Sequence, residues 1–200
     1  LQASRGLNMG LHFLSGALTF DPVAVQIDSK TASQIVWMDT LLTNVDRTTK
    51  NTNMLMWLKE LWLIDHGASL YFHHSWVNWE KYALSPFTQV KDHVLLPYAS
   101  ELEEVDKVFK EILVPEKIEE IVALLPDDWL HWGEEGAPPA DVRRAYVIFL
   151  KKKLKQLSKK AWKLKIKVFK IELSKYLKEM CVLQFFLENQ LLMMQNQLTM

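Results

Sequence analysis

NVDRTTKNTNMLMWLKELWLIDHG, residues 44–67, sets Asp46, Asn51 and Asp65 around two short apolar runs. Met54-Leu55-Met56-Trp57 and Leu61-Trp62-Leu63-Ile64 flank the turn-like Leu58-Lys59-Glu60. Apolar runs of this length, joined by a tight polar connection, predict a β-hairpin. Two carboxylates and a carboxamide then stand at its ends, where loops hold chemical groups on a rigid support. The alternative for the same residues is a polar loop whose Asp and Asn cap turns.

Upstream, Gly6, Gly10 and Gly16 lack the GxGxxG spacing of a phosphate-binding loop. They predict irregular structure as far as the turn-prone Asp21-Pro22. Ser29 is placed to N-cap a helix on which Ile35, Met38, Leu41 and Leu42 recur near helical spacing. Downstream, Ala68 to Trp79 is dense in aromatics and contains His73-His74. Adjacent histidines diverge by about 100° on a helix, which argues against a shared metal. Ser85-Pro86-Phe87 marks a break, and Asp92 to Pro97 reads as a buried segment stopped by its proline. Two amphipathic helices follow: Ala99 to Leu113, with Leu102, Val105, Val108, Phe109 and Ile112 on one face, and one opened by Pro115 that carries Ile118, Ile121, Val122 and Leu125. Asp127 to Trp132 and Gly136-Ala137-Pro138-Pro139 predict an ordered loop, after which Asp141 caps a further helix.

The chain has 200 residues and a formal net charge of zero, but the charge is unevenly divided. Residues 1–150 hold 12 Lys+Arg against 21 Asp+Glu, whereas residues 151–200 hold 12 Lys against 3 Glu. The lysine-rich stretch Lys151–Lys178 and the Gln-rich, apolar end therefore read as a helical tail of different character, with a boundary drawn between residues 157 and 158. Lys163 to Phe169 alternates charged and apolar residues at strand spacing, so its type stays open. The single cysteine, Cys181, excludes an intrachain disulfide framework and thiolate zinc sites. With no apolar run of membrane-spanning length, the expectation is a cytoplasmic protein.

Phosphoryl transfer from ATP requires a carboxylate that orients or deprotonates the attacking hydroxyl, and hard oxygen ligands that hold Mg²⁺ on the phosphates. Protein kinases meet this with an Asp, an Asn five positions later, and a second Asp in Asp-Phe-Gly beyond a hairpin. Asp46 and Asn51 have that spacing here, and Asp65 follows the hairpin within Ile64-Asp65-His66-Gly67.

NVDRTTKNTNMLMW and LWLIDHGASLYFHHSW resemble the bacterial HipA-like kinase family, in the branch with NVDRTxxNxNLL and LIDHGAALYFHH motifs. GLNMGLHFLSGALTFDP and SPFTQVKDHVLLPYAS are similar to the same branch, so the resemblance spans roughly residues 3–150. Phosphatidylinositol kinases are a more distant likeness. The resemblance implies an α+β, mainly helical fold: a kinase-like C-terminal lobe over residues 1–157 with a short catalytic-site hairpin. It implies Asp46 as catalytic base, Asn51 and Asp65 as Mg²⁺ ligands, Arg47 in contact with phosphate or with Asp65, and Lys50 near the ATP phosphates, with a solvated lysine as the alternative. Arg47 otherwise reads as a surface loop arginine, and His66 replaces the Phe of Asp-Phe-Gly. The acceptor implied is a protein serine or threonine. Because Leu1 opens in what reads as mid-domain sequence, the smaller N-terminal lobe is expected to be missing and the chain alone weakly active or inactive. Two other readings remain: a pseudokinase or helical interaction module without catalysis, and a nucleic-acid or membrane-surface binder acting through Lys151–Lys178.

Overall fold

Helix α1 (Ser29–Leu42) is the centre of the molecule. Its Ala32, Val36 and Trp37 are fully buried, and Ile35, Met38, Leu41 and Leu42 nearly so. A helix covered on almost every side belongs to the middle of a fold, not to its surface. In this computed structural model, which describes residues 7, 10–74, 76–130 and 137–160, the chain is α+β and mainly helical. The N-cap is Asp28, whose Oδ1 accepts from Thr31 N at 2.9 Å. Ser29, expected in that role, instead donates its hydroxyl to Glu101. The helix ends at Thr43, in the left-handed region at φ 54°, and turns the chain into the polar loop at Asn44.

The predicted hairpin is present as β2 (Met54–Trp57) and β3 (Glu60–Leu63), antiparallel, with Met54 opposite Leu63 and Trp57 opposite Glu60. Its connection is the two residues Leu58-Lys59, so Glu60 belongs to the strand and not to the turn. Both turn residues have positive φ, 50° and 70°, the signature of a type I′ turn, whose twist matches the flanking strands. A third strand, β1 (Leu18–Thr19), pairs with the other edge of β2. The glycine-bearing sequence there predicts irregular structure. A strand of two residues has no period to detect; its pairing with Leu55 and Met56 creates it. Phe20 follows it into the core at 1% exposure, its N–H bonded to Met54 O at 3.0 Å.

Beyond the hairpin, a 3-10 turn at Tyr71–His74 leads to α2 (Trp79–Leu84), a short helix hidden in the sequence by its aromatic surroundings. Two more 3-10 turns, Thr88–Asp92 and Leu96–Tyr98, bracket the buried His93, Val94 and Leu95. Pro97 therefore lies inside a turn instead of stopping a segment. Helices α3 (Leu102–Ile112) and α4 (Pro115–Ala123) follow, but α3 begins three residues after Ala99 and α4 ends before Leu125. The first buries Leu102, Val105 and Phe109, the second Ile118 and Val122. Trp37 of α1 meets Phe109 edge-on at 4.8 Å and donates its indole N–H to Asp106 at 2.8 Å.

Helix α5 (Pro139–Lys160) opens at Pro139, not at Asp141, which sits in its first turn. There the carboxylate still favours the positive end of the helix dipole. Val142, Tyr146, Phe149, Leu150 and Leu157 are its buried side, packed across α2, α4 and α1. The helix runs unbroken through Lys151, where the charge changes sign. Residues 161–200, with the ambiguous Lys163–Phe169 segment, and His131-Trp132 and Gly136 lie outside the described residues. Among the described residues, no helix is long and apolar enough to cross a membrane.

Candidate active site

Residues 43–53 form a polar loop that joins the buried end of α1 to β2, and its own side chains hold it. Asn44 is the pivot: Nδ2 donates to Asp39 Oδ1 at 3.0 Å, and Oδ1 accepts from Asp46 N at 3.1 Å. The loop is closed by Thr48 N on Asn51 O, 2.8 Å, and by Asn51 N on Thr48 Oγ1, 3.3 Å. Inside this ring, Asp46 Oδ2 accepts from Asn51 Nδ2 at 2.8 Å and from Asn53 Nδ2 at 3.0 Å. Both bonds fall on one oxygen, which leaves Oδ1 available to an incoming group. A carboxylate can only accept here, so Asn51 presents its NH₂ to Asp46 and keeps Oδ1 for another partner.

Asp65 lies at the same end of the hairpin. Ile64 N bonds Asn53 O at 3.0 Å, and Val45 N bonds Ala68 O at 3.4 Å, so both flanks of Asp65 are tied to the loop carrying Asp46. Asp65 is exposed, has φ 49°, and accepts from Gly67 N at 3.3 Å. The left-handed conformation costs a non-glycine residue of order 1 kcal/mol and persists only when the surroundings impose it.

Arg47 departs from its expected surface and phosphate roles, and its partners among the described residues are Asp39, Thr52, Asn53 and His66, not Asp65. It is 1% exposed, neither on the surface nor free to meet a phosphate. Its Nε donates to Asp39 Oδ2 at 2.5 Å, Nη1 donates to Asn53 O, and Nη2 lies 3.3 Å from His66 Nδ1. His93 Nε2 donates to the same Asp39 oxygen at 3.0 Å, while its Nδ1 accepts from Leu95 N at 3.0 Å. Burial alone raises the Asp39 pKa, but the charge of Arg47 and the His93 bond overcome it and hold the carboxyl well below the usual range. The arginine thus clamps the loop (Asn53), the turn after Asp65 (His66) and α1 (Asp39) together.

His66 is a working part of that clamp. Burial, and then the adjacent Arg47 charge, push its pKa down to about 4, against an opposing pull from Asp39. The ring is therefore neutral, and its Nδ1 accepts from the guanidinium. An unfolded histidine takes a proton near pH 6.5, whereas the folded one does so only near pH 4. Its contribution to stability is complete above the unfolded value and is lost as pH falls between the two. Urea denaturation is expected to show a loss of about 3 kcal/mol from this group between pH 7 and pH 4. His66→Gln is expected to be less stable at pH 7 and to show a flatter profile over the same interval.

Lys50 is exposed beside Asn51, with no hydrogen bond among the described residues. His73 and His74 fall on the turn after the site. No group of three or more His, Cys, Asp and Glu able to hold a metal occurs among the described residues. The candidate donors carried by the loop and by this end of the hairpin are instead two carboxylates and a carboxamide. Such all-oxygen donors, few in number, fit Mg²⁺, which keeps several of its waters and is completed by substrate phosphates. The leading lysines of the basic stretch are engaged in packing: Lys151 pairs with Glu119 at 2.5 Å, Lys152 lies 5.9 Å from the Trp79 ring, and Lys153 is buried.

Asp39, His93, Asn44 and Asn53 were not singled out in the sequence. One signal was present for Asp39: a lone acid inside Ile35-Val36-Trp37-Met38-Asp39-Thr40-Leu41-Leu42, where burial demands a partner. In comparisons with known proteins, the chain matches no family model, no curated protein and no solved structure.

Proposed function

We propose that the chain carries the catalytic loop of a Mg-ATP-dependent phosphotransferase of the HipA-like kind, with a protein serine or threonine as acceptor. The observation that carries this reading is the restraint of Asp46 by Asn51 and Asn53 through one oxygen only, at the hairpin end that also bears Asp65. Asp46 Oδ1 receives the acceptor hydroxyl. As the oxygen of that hydroxyl bonds to the γ-phosphorus and the bond to the β–γ bridging oxygen breaks, the hydroxyl proton passes to Asp46. Asn51 Oδ1 and an Asp65 carboxylate oxygen would hold Mg²⁺, which neutralises phosphate charge when bound. Lys50, exposed on the loop, is the cation available to the phosphates. Arg47 acts from behind, fixing the loop without touching nucleotide.

Calorimetric titration of the chain with ATP, in Mg²⁺ and in EDTA, tests the reading. Binding is expected to depend on Mg²⁺ and to weaken at least tenfold in Asp65→Ala and in Asn51→Ala. Tight ATP binding that ignores both substitutions would remove these residues from the metal site. Absence of any nucleotide binding would favour the non-catalytic interaction module.

A further inference from the structure

A cleft of about 440 Å³ lies between the turn at Tyr71-Phe72, the run from Tyr82 to Gln89, and α5. Thr43 and Val45, which lead into the Asp46 loop, form part of its wall. Its volume is that of a small-molecule site. Phe72 and Phe149 are buried at 4% and 1% exposure and give it an apolar floor.

The charge on its wall is one-sided. Lys153 lines the cleft at only 5% exposure, and no Asp or Glu among the described residues does. Its Nζ donates to Ser85 O at 2.6 Å and lies 5.6 Å from the Phe149 ring. Among the described residues it has no carboxylate partner. An ammonium has three donors, and a buried one is costly unless paired. Burial accordingly lowers the Lys153 pKa to about 8, which still leaves it charged at neutral pH. A second donor stands on the rim. Thr88 gives its hydroxyl to Gln89 Oε1 at 3.4 Å, so the Gln89 amide N–H groups remain to be used.

We propose that this cleft binds a small organic acid, with a single carboxylate against Lys153 Nζ and an aromatic or apolar body on Phe72 and Phe149. One cation and no acid in the wall suit a monoanion; a phosphate dianion would call for a second cation. The inference does not depend on the phosphotransferase reading, because none of the residues it uses belongs to the Asp46–Asn51–Asp65 group.

The test is calorimetry at pH 7 on the full chain with indole-3-butyrate, its neutral amide indole-3-butyramide, and inorganic phosphate. The acid is expected to bind at least tenfold more tightly than the amide, and phosphate alone not to bind. Lys153→Met is expected to erase the difference between acid and amide, and Lys153→Arg to preserve it. Thr88→Trp, a substitution on the exposed rim, is expected to fill the cleft and abolish binding of both. Equal binding of acid and amide, a preference that survives Lys153→Met, or no binding of the acid would overturn the proposal. Should Lys153→Met not fold, the wild-type comparison and Thr88→Trp decide it alone.

Discussion

Asp39→Ala is expected to destabilise the protein by about 3–5 kcal/mol, the cost of leaving a buried charge without its partner. Folded domains have only about 5–15 kcal/mol in all, so a large part of the population should be unfolded at 37 °C. The side chains of Arg47 and Asp39 are 0% and 3% exposed, so water cannot take the place of the lost carboxylate. His93 and Asn44 lose an acceptor in the same step. Asp39→Asn separates charge from shape: it keeps the volume but turns an NH₂ toward groups that are themselves donors, and should cost nearly as much. The pH dependence has a fixed sign. The folded pKa of Asp39 is depressed, so its contribution is complete above the unfolded value of about 3.9 and is lost as pH falls toward the folded one. The gap between wild type and variant should therefore be full at pH 7 and close in strong acid. Urea denaturation followed by circular dichroism reads it directly. Two variants within 1 kcal/mol of wild type would mean that the clamp is not what holds the loop.

That clamp also explains which parts of the fold could be read from the chain and which could not. The hairpin was readable because Met54–Trp57 and Leu61–Leu63 are apolar runs of strand length around a tight link. Helices α3 and α4 were readable because their apolar positions repeat with the helical period and Pro115 marks a start. Strand β1 and the Asp39–His93 contact are of another kind. Each joins positions far apart in the chain, 54 residues for Asp39 and His93, and no local pattern encodes such a meeting. Arg47 was misplaced for a related reason. Arginine is rarely buried, so a loop arginine beside a candidate catalytic Asp reads as a surface or phosphate-contacting group. Only the acid on α1 makes its burial possible. Of the candidate site, Asp46, Asn51 and Asp65 came from spacing; Asn53 did not, because an Asn before a strand looks like ordinary turn chemistry. Its value lies in its backbone, φ 48°, which aims the amide back at Asp46.

Asn53 makes the sharpest prediction about catalysis possible. In assays of γ-phosphate transfer from ATP, Asp46→Ala is expected to lower the rate by about 100- to 10,000-fold, the usual worth of a positioned proton acceptor. Stability should change little, because Asp46 is only half-buried and lies outside the Arg47 clamp. Asn53→Gly should fall between wild type and Asp46→Ala. Glycine accepts the positive φ that alanine would resist, so the substitution removes the amide while sparing the backbone. Asp46 then keeps its bond from Asn51 but loses the second donor, and its carboxylate can rotate. A loss confined to kcat, with KM for ATP unchanged, is the expected mark of a positioning residue; a parallel rise in KM would mean that Asn53 shapes the nucleotide site instead. If wild type transfers phosphate and Asp46→Ala does so equally well, Asp46 is not the base. If neither transfers phosphate, the Mg²⁺-dependence of ATP binding decides between the catalytic and the non-catalytic reading.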